Sequence, residues 1–204
     1  MDNQVLISPY ALTAVKKEHQ DITVNLSKRQ IENSPSLNTH KPVSRQFEEV
    51  YNRYYGWPGY YIALDRERGK EPSTTEKAWD PHLRSTCGVS GYHVQATDAE
   101  IGHVEDFIID DEICAIRYLI VDTKNWWPGK RVLVSPQWIE SVSWDKSKVF
   151  VHLSQDAIKR SPVYTEDTLP TRDYEAGLYR HYDRQAYWSD EPIAKKHFPL
   201  GGRG

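Results

Sequence analysis

Cysteine, methionine and phenylalanine are scarce in this chain of 204 residues, at two, one and four copies. Two cysteines, Cys87 and Cys114, cannot build a disulfide scaffold, and their separation matches neither a metal-ligand nor a redox spacing. A reducing compartment follows as the default, so the chain reads as soluble and cytoplasmic. Long apolar runs are missing: Tyr118-Leu119-Ile120-Val121 has the length of a strand, not of a membrane span. The first residues, MDNQVLISPY, lack the basic and long apolar regions of a secretory signal. No block of lysine and arginine reaches nucleic-acid-binding length, and a formal net charge of −3 gives no global attraction to phosphate. Direct nucleic-acid binding is therefore not expected. Glycine patterns that cradle phosphates or dinucleotides are absent, as is the GxSxG of a nucleophile elbow.

Tyrosine and tryptophan, by contrast, are plentiful, at 13 and 7 residues. Both carry a polar group on a large apolar body, which suits half-buried sheet faces and contact surfaces.

The chain also repeats itself. Shifted by 127 residues, Val5-Leu6-Ile7-Ser8-Pro9 falls on Val132-Leu133-Val134-Ser135-Pro136, and Leu26-Ser27 falls on Leu153-Ser154. Ser34-Pro35 meets Ser161-Pro162, and Arg45, Glu48, Arg53, Tyr55 and Tyr60 meet identical residues. Without a gap this gives 16 identities in the 57 positions from Val5 to Tyr61, where ordinary residue usage supplies roughly three or four. The pattern implies a duplication. The copies are unequal, because only the second is preceded by a stretch such as Ser90 to Arg131. The first copy therefore looks truncated at its start. Either its strands pair with another surface (the second unit, a second copy or a partner), or the native start lies roughly forty residues upstream.

In the longer copy, Tyr92–Ala96, His103–Ile109, Ala115–Val121, Arg131–Val134 and Val149–Leu153 read as short strands rich in β-branched and aromatic residues. Thr97–Glu100, Asp110–Glu112 and Trp126–Lys130 read as turns between them. In the shorter copy Val5–Ile7 and Ile22–Val24 read as strands. The period then changes. Ser27 stands three residues before Gln30 as in a capping box, and Ser154 holds the same place in the other copy. Each of these short helices ends near Ser-Pro. A longer helix follows Ser44, with Phe47, Val50, Tyr51, Tyr54 and Tyr55 on one face, and its counterpart follows Thr171. These signals predict an α+β chain: a partial unit over 1–61, a linker over 62–82, a complete unit over 83–188 and a loose tail over 189–204.

No reactive constellation is evident. The eight histidines form no HxH or HExxH spacing, and no cofactor or metal site is expected. Asp106, Asp110, Asp111 and Glu112 lack the alternation and central glycine of a calcium loop, and a turn explains them. Trp126 and Trp127 are adjacent, so one of them either presents itself to a partner or packs on loops of its own domain; the sequence leaves both open. Trp57, Tyr60 and Tyr61, after the first long helix, pose the same question. These five residues are the candidate protein contacts.

Gly91-Tyr92 and Thr97-Asp98-Ala99-Glu100-Ile101-Gly102-His103-Val104-Glu105-Asp106 resemble the opening hairpin of a PRC-barrel domain. Ile116–Thr123 and Gly129–Pro136 resemble the middle strands of the same family, which is related to the cytoplasmic domain of the photosynthetic reaction-centre H subunit. The resemblance implies a small antiparallel β-barrel, duplicated, that works by protein–protein contact without catalysis. It suggests association with a reaction-centre-like or other membrane complex and, through the incomplete copy, self-association. A ligand- or metal-responsive stress sensor and a ribosome- or RNA-processing-associated factor are the alternative readings, since fold alone does not fix function.

Overall fold

The computed structural model describes residues 4–16, 21–37, 43–57, 81–111, 113–123, 130–167 and 170–189. The chain divides between Ser85 and Thr86 into two compact units.

The first unit opens with a 3-10 turn, Pro9–Ala11, capped by the Ser8 side chain. Strands β1 (Leu12–Lys16) and β2 (Asp21–Val24) form an antiparallel hairpin with a bulge between Leu12 and Ala14. Helix α1 (Lys28–Glu32) starts at Ser27 with the full capping box, Ser27 and Gln30 each satisfying the other's backbone N–H. A short strand β3 (Val43–Ser44) leads into helix α2 (Arg45–Tyr55), which Ser44 caps and Gly56 ends in the left-handed conformation at φ 72°. Strand β4 (Pro81–Leu83) pairs antiparallel with β3. The end of the expected linker is thus paired backbone, while residues 62–80 lie outside the described residues.

The second unit holds the larger core. After a short helix α3 (Thr86–Val89) come β5 (His93–Gln95), β6 (Glu100–Asp110), β7 (Ala115–Asp122) and β8 (Arg131–Val134). A 3-10 turn at Pro136–Trp138 leads to β9 (Ile139–Ser143) and β10 (Lys148–Val151), then to helices α4 (Gln155–Lys159) and α5 (Arg172–His181). The strands form one six-stranded sheet in the order β8-β7-β6-β5-β10-β9. The buried core of the unit includes Val94, Val104, Val121, Leu133 and Val149 of the sheet together with Trp138, Leu178 and Tyr179. The sheet depends on one glycine. Gly102 takes φ 148°, and a Cβ there would sit 2.0 Å from the Asp122 carbonyl oxygen of β7. Only a residue without a side chain lets β6 pass β7 so closely.

Three expectations are corrected here. The sheet is not a closed barrel, because β8 and β9 are its two edges. Nor is it wholly antiparallel: β5 and β10 pair in parallel, since the chain returns to β5 from the far edge after four intervening strands. Val5–Ile7 likewise forms no strand. Its counterpart Val132–Val134 is a strand because it pairs with β7, and the described residues of the first unit include no such neighbour.

The two units correspond element by element at the same offset of 127 residues. Both 3-10 turns, β1 and β9, β2 and β10, and α1 and α4 match end to end, and α2 matches α5 to within a residue at its end. The registers match as well. Leu12↔Val24, Val15↔Ile22 and Lys16↔Asp21 correspond to Ile139↔Val151, Val142↔Val149 and Ser143↔Lys148, with the bulge in the same place. Asp183, at φ 51°, repeats the left-handed conformation of Gly56. What the first unit lacks, among the described residues, is any counterpart of the ladder β5 to β8.

Candidate functional site

In the second unit a group of polar side chains between β7 and α5 is engaged with itself. Tyr118 on β7 donates a 2.7 Å hydrogen bond to Oε1 of Glu175 on α5, and Tyr187 donates to the same oxygen at 3.1 Å. Arg172 reaches the other carboxylate oxygen at 3.2 Å. Burial, and next the hydrogen bond to Glu175, push the Tyr118 phenol far above its ordinary range. Within and beside this network Arg117 and Arg172 lie over the Tyr187 ring, and Arg172 also over Trp188. Every polar group here has a partner within the unit, so the arrangement locks α5 to the sheet. Arg131 makes a similar tie, bidentate to Glu105 at 2.5 and 2.6 Å and bonded to Glu166 at 2.7 Å. Neither cluster leaves a nucleophile beside a base. Among the described residues no three His, Cys, Asp or Glu side chains are grouped to hold a metal ion, and no helix is long and apolar enough to cross a membrane.

The first unit differs in that some positions equivalent to the second unit's core face outward, although Ala11 and Tyr51 are buried. Val149 on β10 is 1% exposed, while Ile22, its counterpart on β2, is 63% exposed. Ile7 stands where fully buried Val134 stands in the other unit, yet it is exposed, as are Val15, Val50 and Tyr54. The ladders differ too. Val149 belongs to the buried core cluster, on a strand that has β9 on one side and β5 on the other. Strand β2 has β1 on the equivalent side and, among the described residues, nothing on the other. Alternation along β2 leaves Ile22 and Val24 on the face that corresponds to the second unit's core. Helix α2 is tied to the segment before the 3-10 turn and to α1: Tyr51 donates its hydroxyl to the Leu6 carbonyl, and Tyr54 donates to the Gln30 carbonyl at 2.9 Å.

Of the five candidate contacts, Trp57 alone lies within the described residues; Trp126, Trp127, Tyr60 and Tyr61 lie outside them. Trp57 is half-buried. It stacks on Tyr55 at 4.4 Å between ring centroids and meets Tyr51 edge-on at 5.7 Å. Its ring is thus largely committed to helix α2. Of the outward-facing residues, Ile22 lies in a strand that the sequence leads us to expect to pair with another surface, whereas Val15 is not singled out. Only the inequality of the two copies hinted at Ile22, since an isoleucine in a predicted strand otherwise reads as core.

Comparison with protein families finds a PRC-barrel domain at residues 89–158, about a third of the chain, running from the end of α3 into α4. The domain thus lies wholly within the second unit. No curated protein matches the chain.

Proposed function

We propose that this chain is a non-enzymatic assembly protein: its second unit is a self-contained PRC-barrel-type domain, and its first unit is a partial copy that makes a protein–protein contact. The carrying observation is the contrast between Ile22 and Val149, equivalent in register and opposite in exposure. Covering an isoleucine side chain contributes about 1.5–3 kcal/mol, so the exposed Ile22, with Val15 paired opposite it, and the exposed Ile7 favour association. The edge of β2 that has no neighbouring strand among the described residues is suited to strand addition. Duplication by descent accounts for the shared offset, registers, bulge and capping residues. The match to the PRC-barrel model, and the lack of any catalytic grouping around the buried Glu175 network, favour contact over chemistry. A second copy of the chain, or a component of a larger complex, is the kind of partner this reading calls for.

The test compares the full chain with Ile22→Lys and with Ile109→Lys, the latter an exposed isoleucine of the second unit. Affinity capture from the native host and sedimentation velocity are expected to show association lost in Ile22→Lys and kept in Ile109→Lys. Equal association by all three proteins contradicts the assignment of the surface.

A further inference from the structure

We infer that the edge of β2 that has no neighbour among the described residues receives, in parallel, a strand hairpin of a partner protein, and that this hairpin presents a lysine or arginine to Asp21. The inference rests on the reading of the first unit as a contact surface and adds the direction and charge of what binds there.

The second unit supplies the template. There β5 lies parallel to β10, with Lys148 opposite His93, Val149 opposite Val94 and Phe150 opposite Gln95. Because β1 and β2 repeat the β9–β10 register, bulge included, the free edge of β2 is oriented as the β5-facing edge of β10. A parallel strand there places an apolar residue opposite Ile22, where Val94 stands opposite Val149.

The charge differs between the two sites. In the second unit Lys148 Nζ bonds Glu100 Oε2 at 2.8 Å, and His93 Nδ1 lies 3.0 Å from Glu100 Oε1. The lysine on β10 thus pairs with an acid brought by β6, the strand beyond β5. In the first unit Asp21 occupies the place of Lys148, so an incoming hairpin with an acid at that position is repelled and one with a base is held. This disfavours the β5–β6 hairpin of a second copy, whose Glu100 would meet Asp21. It also disfavours β2 of a second copy, which a two-fold axis would set antiparallel.

The probe is a head-to-tail cyclised peptide of residues 90–106, made as the parent and as Glu100→Lys, titrated by fluorescence anisotropy into the full chain and into its Asp21→Lys variant. The Glu100→Lys peptide is expected to bind the full chain about fivefold more tightly than the parent, with the preference reversed by Asp21→Lys. Equal affinities, no saturable binding, or a preference that Asp21→Lys leaves unchanged each overturn the inference. Tighter binding by the parent also overturns it and points to exchange between two copies. The Ile22→Lys result stands apart from all of these, so failure here is distinguishable from failure of the contact surface itself.

Discussion

Replacing Gly102 by alanine isolates the closest backbone approach in the second unit. At φ 148° an L side chain is strained, and the new Cβ would lie 2.0 Å from the Asp122 carbonyl oxygen, 2.9 Å from its carbon and 3.1 Å from Thr123 Cα. All three neighbours are main-chain atoms, so relief requires β6 and β7 to move apart along a ladder that runs from His103 to Asp110. Strained backbone contributes about 1–3 kcal/mol and enforced overpacking a similar amount, giving a loss of about 3–5 kcal/mol from a stability of roughly 5–15 kcal/mol. Gly91 provides the control. It too has positive φ, at 88°, but a Cβ there meets nothing within 4 Å, so Gly91→Ala incurs only the backbone term, about 1 kcal/mol. Urea unfolding followed by circular dichroism is expected to place the Gly102→Ala midpoint well below that of Gly91→Ala, by about 1 M or more. Equal midpoints would refute the claim that β6 passes β7 with no room for a side chain.

Tyr118→Phe removes the 2.7 Å donor to buried Glu175 and is expected to reduce stability by about 1–3 kcal/mol; urea unfolding checks this, and an unchanged midpoint would mean the network does not hold α5. Burial pushes the phenols of Tyr174 and Tyr182 up to about 12 from an ordinary 10.0. The folded state thus favours the neutral phenols, and their contribution is complete below pH 10 and lost as the pH rises through about 12. Alkaline unfolding in that window, delayed in Tyr182→Phe, is the expected result, followed by phenolate absorbance alongside circular dichroism.

Much of the local structure was legible in the residues. The capping box Ser27/Gln30 and the caps Ser44, Ser154 and Thr171 each start the helix expected of them, because capping is a matter of hydrogen-bond reach over three residues. Strand pairing was less legible, since it depends on distant partners. Val5–Ile7 carries the same strand-like residues as Val132–Val134, yet only the latter has a neighbouring β7. Leu12–Lys16 and Ile139–Ser143 were not singled out, because their exposed and half-buried residues blur the alternation that marks a strand. The parallel β5–β10 pair and the open ends of the sheet belong to chain topology, which short-range pattern does not encode. The candidate site was legible only as an imbalance between the two matching stretches; that Ile22 specifically faces outward needed the structure.

Hydrogen–deuterium exchange tests the central claim most directly, comparing backbone amides of Asp21–Val24 with those of Lys148–Val151 in the isolated full chain and in its captured complex. An uncovered β2 exchanges fast in the isolated monomer, slows on complex formation, and contrasts with a β10 protected throughout. Amides of Asp21–Val24 as protected in the isolated monomer as those of β10 would contradict it.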